Sequence, residues 1–260
     1  PKRVLPMDYG PPTPAGEPQP ERLLPAGTSI EPYPDERVGI APSTSGPEAR
    51  FERRESLELA FVAALQHLPP GQRAALVLRD VLGFSAKEAA ETLETTVPSV
   101  NGALRRARAA LDHRLPDQSQ QVTLRAMGDR RLRELAERFA DSLERGEVDA
   151  VLDTLTEDAT VSTPPYEGWR KGKDAVAESW LMPSGPPPRL AYASTRANGQ
   201  LALGAYLIAD DGASYRPLAL DVLTIRGDRI SDVTIFRTPE LFPRFALPEG
   251  LPPGNNGTTD

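Results

Sequence analysis

Residues 68–115 read LPPGQRAALVLRDVLGFSAKEAAETLETTVPSVNGALRRARAALDHRL, and this stretch sets the fold of the first part of the chain. Pro69 and Pro70 end one helix and suit the first turn of the next, because proline lacks an amide the first turn does not need. Ala74, Ala75, Val77, Leu78 and Val81 then recur on one helical face, and Gly83 is placed to stop that helix in a left-handed conformation. Ser85 followed by Glu88 is a capping-box pattern that opens a short helix over 86–93. A turn at Glu94-Thr95-Thr96 leads to a last helix starting near Val97-Pro98-Ser99, with Val100, Leu104, Ala107 and Leu111 inward and Pro116 beyond its end. A small Ala89 or Ala90 where the last two helices cross allows close approach. Two short helices joined this way, the second ending in arginines, form a helix-turn-helix built to lay one helix against DNA. An ordinary helical hairpin with a charged outer face fits less well, because cap, turn length, small residues and arginine placement agree.

Toward the N-terminus, Phe51, Leu57, Phe61, Val62 and Leu65 predict an amphipathic helix over 48–67. Residues 1–47 are crowded with proline and predict a linker, extended or disordered on its own. Its acidic part, residues 30–36, is either solvated or threaded as a strand through a basic channel of a partner.

Residues 117–125 are a polar spacer. A third regime follows, with a long amphipathic helix over 124–145 and a short one around Val148 to Leu155. A first strand follows at 159–162, then a helix over 172–181 and strands at 189–198, 200–209, 216–226 and 229–237. Asn198-Gly199 and Gly227-Asp228 stand where hairpin turns belong. Helices followed by a curved antiparallel sheet make an α+β domain over 126–247, and residues 248–260 are expected as a disordered tail. The predicted fold class is thus an N-terminal helical helix-turn-helix domain over 48–116, followed by a curved-sheet cone with helices.

Composition narrows the function. The formal net charge is −7, which excludes a general nucleic-acid binder. Residues 97–114 nevertheless carry Arg105, Arg106, Arg108 and Arg114 against Asp112, a local +3, so DNA contact is narrow and guided by a partner. Cysteine is absent and there are two histidines, His67 and His113, so thiolate metal sites and disulfides are excluded; no metal or cofactor is expected. No apolar run long enough to span a membrane and no leader segment are read, so a cytoplasmic location is expected.

The first half resembles region 4 of the sigma-70 family, in particular the extracytoplasmic-function sigma factors. The resemblance rests on Leu68-Pro69, Arg73, Val77-Leu78-Arg79, Gly83-Phe84-Ser85, Glu88-Ala89-Ala90, Ser99-Val100 and the run from Leu104 to Leu111. It implies that the last helix lies in the major groove of a −35 promoter element while the domain holds the RNA polymerase core, through its beta flap and beta-prime subunits. On that footing Ser99, Asn101, Gly102, Arg105, Arg106 and Arg108 are the candidate DNA-binding residues, with Arg108 alternatively paired to Asp112. Nothing resembles region 2, which reads the −10 element, and the expectation is a chain beginning near the end of that region.

The second half resembles the SnoaL-like, NTF2-like domains. That resemblance rests on Arg138-Phe139 with Leu143, Gly146-Glu147-Val148, residues 155–159, Tyr166-Glu167-Gly168, Gly172 and residues 220–223 and 230–233. The pair of domains resembles the SigG-type subfamily of these sigma factors. It implies a cone around a pocket, lined by Trp169, Trp180, Tyr192, Tyr206, Asp221 and Phe236, that regulates sigma activity or senses a small-molecule ligand. Asp221 could act as a base if desolvated, which leaves open an enzyme or ligand-binding protein with a helical docking module. Lacking histidine and paired carboxylates, the domain is better read with no catalytic residues.

Overall fold

The computed structural model describes residues 6–25, 30–35, 58, 62, 65–112, 119–178, 189–210 and 212–252. They fall into two compact units. The described residues between 58 and 119 form the first; residues 6–25 and 30–35 join residues 120–252 in the second.

In the first unit, α1 (Pro70–Leu76) runs directly into a π-helical turn, Val77–Val81, closed by the Leu82 amide donating to the Val77 carbonyl at 2.9 Å. Gly83 ends it at φ +73°, the left-handed conformation expected there. Helix α2 (Ala86–Thr92) opens with the anticipated capping box: the Glu88 amide donates to Ser85 Oγ at 3.2 Å and the Ser85 amide to Glu88 Oε2 at 2.7 Å. Helix α3 runs Val97–Asp112. Leu68, Leu76, Leu104, Ala107 and Leu111 form one buried cluster and Ala75, Ala89, Ala90 and Val100 another. Ala89 is fully buried, so the small side chain does set the approach of the helices. Most of the helix expected over 48–67 lies outside the described residues; within it, the Val62 amide donates to the Glu58 carbonyl at 2.9 Å, a helical spacing.

The second unit begins not at 126 but with α4 (Gln120–Met127), inside the expected spacer. The single helix expected over 124–145 is two, because Gly128 at φ +79° breaks α4 from α5 (Asp129–Arg145). Helix α6 (Val148–Thr154) leads straight into β1 (Leu155–Ser162), followed by β2 (Trp169–Lys171), α7 (Lys173–Ala177), β3 (Leu190–Ala197), β4 (Gln200–Ile208), β5 (Tyr215–Arg226) and β6 (Arg229–Phe236). The sheet order is β2-β1-β6-β5-β4-β3. Every pairing is antiparallel except β1 with β6, which is parallel. Asn198 (φ +56°) and Gly199 (φ +70°) make the two-residue β3–β4 turn as the sequence suggested.

Both faces of the sheet are covered. One carries Leu132, Leu135, Ala136, Phe139 and Leu143 of α5 against Leu201, Leu203, Leu223 and Val233. The register places Gly204, Leu220 and Phe236 in one row on the other face. A Cβ at Gly204 would stand 2.7 Å from Leu247 Cδ1, so a helical turn, Pro239–Phe245, and the residues after it lie against that row. The expected tail starts later than 248, because Leu251 pairs with Tyr215 through both backbone groups. Residues 253–260 lie outside the described residues.

The described part of the proline-rich stretch, residues 6–25 and 30–35, expected as a linker extended or disordered on its own, lies along the second unit. Thr13 donates its amide to the Trp169 carbonyl at 2.7 Å and Leu24 to the Pro165 carbonyl at 2.6 Å, while the Glu167 amide donates to the Arg22 carbonyl at 2.9 Å. At the β3–β4 turn the Tyr33 amide donates to Asn198 Oδ1 at 2.9 Å and the Asn198 amide to the Tyr33 carbonyl at 2.8 Å. Prolines cannot complete a strand ladder, so this strap takes its partners from another part of the chain.

Gln120 shows how α4 is fixed. Its buried side-chain amide donates to the Ile225 carbonyl at 2.8 Å and accepts from the Ile225 amide at 2.7 Å, beside the register shift between β5 and β6. Gln120→Leu strands both backbone groups and is expected to cost about 1–3 kcal/mol, read by chemical denaturation. A change below a few tenths would show that water replaces the clamp.

Candidate nucleic-acid interface and the interior of the second domain

Helix α3 is two-sided. Val100, Leu104, Ala107 and Leu111 are buried, whereas Ser99, Asn101, Arg105, Arg106 and Arg108 are exposed and Gly102 is half-buried. At 3.6 residues per turn the exposed set shares one face. The first turn is capped by Thr96, whose Oγ1 accepts the Ser99 amide at 3.3 Å. A threonine directly before Val97-Pro98 is a cap signal that the sequence reading passed over.

The arginines differ in what they hold. A Cβ at Gly102 would lie 3.4 Å from Arg106 Nη1, so the Arg106 guanidinium folds back over Gly102 toward the helix start. Arg108 turns to Asp80. Its Nε and Nη2 donate to Asp80 Oδ2 and Oδ1 at 2.9 and 2.7 Å, a two-pronged bond to the π-helical turn. The pair raises the Arg108 pKa from its ordinary value, chiefly through the Asp80 hydrogen bond. Asp80 and Arg108 are 28 residues apart, and no local spacing signals their meeting.

Of the six residues expected to line a pocket, the five described do not converge. Tyr192 and Asp221 share the sheet face that packs on α5, since Tyr192 pairs with Ala205 and Asp221 with Leu203. Tyr206 and Phe236 belong to the opposite face: the Tyr206 ring meets Phe242 edge-on at 5.1 Å and its hydroxyl donates to the Pro248 carbonyl at 2.9 Å. Trp169 donates its indole N–H to the Gly10 carbonyl of the strap at 2.9 Å. Trp180 lies outside the described residues.

What remains together is a small polar cluster in an apolar interior. Burial pushes the Asp221 carboxyl up to about 7, partly offset by the positive charge of Arg237. Asp221 Oδ1 is buried without a hydrogen-bond partner. Burial also raises the Tyr192 phenol well above its usual range, with Asp221 and Glu144 adding to the rise. Glu144, which the sequence reading missed, accepts the Tyr192 amide of the edge strand at 2.8 Å and is itself raised by burial. The folded state holds the Asp221 proton more tightly than the unfolded chain does. Stability therefore falls as pH rises from the ordinary carboxylate range to about 7, and levels off above it. Asp221→Asn is expected to flatten that slope and raise the melting temperature at about pH 8. Parallel slopes in variant and wild type would refute the assignment.

Comparison with known proteins agrees with this architecture. Residues 58–111 match sigma-70 region 4 and residues 136–233 match the SnoaL-like domain. The chain is 35% identical over 254 residues to the extracytoplasmic-function RNA polymerase sigma factor SigG of Mycobacterium tuberculosis. That alignment covers 96% of this chain and 66% of the relative, so the chain spans about two thirds of its length. The sigma factor CnrH of Cupriavidus metallidurans is 43% identical over 74 residues, 28% of this chain and 38% of that one. The crystal structure of the M. tuberculosis extracytoplasmic-function sigma factor SigJ shares the fold at TM-score 0.50 and 23% identity, covering 79% of this chain and 73% of that one. With region 4 and a SnoaL-like domain in this order, the chain belongs to the extracytoplasmic-function group of the sigma-70 family.

Proposed function

We propose that the chain acts in transcription initiation, with α3 in the major groove of a −35 promoter element. The first unit and the strap engage the RNA polymerase core, through its beta flap and beta-prime subunits, in the cytoplasm where that enzyme works. The observation that carries this reading is the exposed face of α3, where Ser99, Asn101, Arg105 and Arg106 stand on a helix whose other face holds the fold. Arg105 and Arg106 offer planar donor forks suited to guanine edges or phosphate oxygens. The second domain regulates this engagement and binds a small-molecule ligand near Asp221 and Tyr192. The buried, unpartnered Asp221 Oδ1 supports that ligand reading. A ligand that raises the melting temperature without turnover would favour a sensor over an enzyme.

Duplexes carrying a −35 element, titrated at fixed salt, test the DNA half of the proposal. Arg105→Ala and Arg106→Ala are each expected to weaken binding by about 1–3 kcal/mol where the arginine reads a base, and uniformly across sequences where it holds a phosphate. Unchanged affinity in the double variant would overturn it.

Asp80→Asn makes the opposite prediction. The Asp80–Arg108 pair is largely exposed, so its loss costs little stability. The released arginine is expected to strengthen DNA binding across sequences and steepen the salt dependence by about one unit. A variant with an unaltered salt slope would show that Arg108 does not reach the phosphates.

A further inference from the structure

We infer that the second unit carries a peptide-binding seat whose occupant is the chain's own residues 6–25 and 30–35, and that this seat competes with RNA polymerase for the strap. The inference rests on the sigma-factor reading above and adds to it the means by which the second domain acts.

The seat recognises backbone groups of the strap, which turns over residues 14–17 with Gly16 at φ +79°. Arg170, only 7% exposed, donates from Nη1 to the Pro14 carbonyl at 2.9 Å and from Nη2 to the Glu17 carbonyl at 2.6 Å. Glu178 accepts the Gly16 amide at 2.8 Å and stands 3.3 Å from Arg170. Farther along, the Gly199 amide donates to Asp35 Oδ1 at 2.7 Å. Gly168 completes the fit: a Cβ there would meet Pro20 and Gln19 at 3.1–3.2 Å, so the strap lies where a side chain would otherwise project. Contacts to carbonyls and amides suit a segment with nine prolines among its described residues, because prolines leave carbonyls in need of donors and reduce the entropy lost on ordering.

The occupied seat is not fully satisfied. Arg170 Nε is buried without a partner, so occupancy leaves one donor unmet. The described strap carries Asp8, Glu17, Glu21, Glu31 and Asp35 against Arg22 alone, and Glu17, Glu21 and Glu31 face solvent. The acidity of Glu17, Glu21 and Glu31 is unused by the seat and suits a basic channel on a larger partner. One segment cannot occupy both places, so the apparent affinity for polymerase falls by the fraction of time the strap is seated.

The test uses the full chain and two loosening variants, Leu24→Ser on the strap and Gly168→Val on the seat. Amide hydrogen exchange at Thr13, Leu24 and Tyr33 reads occupancy, and exchange at Leu203 and Leu223 checks that the sheet is intact. Affinity for core RNA polymerase is measured alongside. Protected strap amides in the wild type, faster exchange in both variants and a polymerase affinity gain of about tenfold are expected for a strap seated roughly nine times in ten. Unprotected strap amides in the wild type would remove the seat itself. Released strap amides with unchanged polymerase affinity would overturn the competition. Absence of polymerase binding by every form would instead sink the sigma-factor reading, with the strap protection still standing.

Discussion

The Arg170 guanidinium stands where three pieces of the second unit meet: the short edge strand β2, the end of α7 through Glu178, and the strap through the carbonyls of Pro14 and Glu17. A nearly buried guanidinium is costly to desolvate unless its donors are met. Here the carbonyls that meet them come from the part of the chain least able to form structure of its own. Each side thus solves the other's hydrogen-bonding problem. The edge that β2 would otherwise present is covered in the same step, since Thr13 takes the Trp169 carbonyl.

Local signals in the sequence were read correctly where the chemistry is local. Ser85 with Glu88, Gly83 after α1 and its π-helical turn, and Asn198-Gly199 between two strands each specify a conformation within four residues. Strands β3 to β6 fall within a residue or two of the expected ranges because alternation is a short-range pattern, whereas β1 begins four residues early and the three-residue β2 is not expected at all. What was not legible depends on partners far along the chain. The Asp80–Arg108 pair and the seating of residues 6–25 and 30–35 join segments that no periodicity connects. The division of the aromatic residues is instructive too. Tyr192 and Tyr206 lie on neighbouring strands, and only the pairing of Tyr192 with Ala205 reveals that they point to opposite faces.

In the first unit the same arginine-rich helix serves two purposes. Arg105 and Arg106 stay free of ion pairs among the described residues, whereas Arg108 ties α3 to the π-helical turn that follows α1. Asp80 lies within that turn, where the bond from the Leu82 amide to the Val77 carbonyl spans one residue more than in an α-helix. The absence of a side chain at Gly102 has a related role, leaving space into which the Arg106 head group swings. Charge on this helix is therefore distributed by packing as well as by composition.

The strap also has a consequence in time. Gly16 and its acceptor Glu178 are separated by 162 positions, and the parallel pairing of β1 with β6 means the sheet closes only when its last strand is made. At ~5–20 residues per second, ribosomal synthesis leaves roughly ten seconds or more in which the strap has been made and its seat has not. A newly made molecule is in this sense a different species from a mature one. Under the proposed competition its linker is unopposed at birth, and restraint arrives with the C-terminal third of the chain.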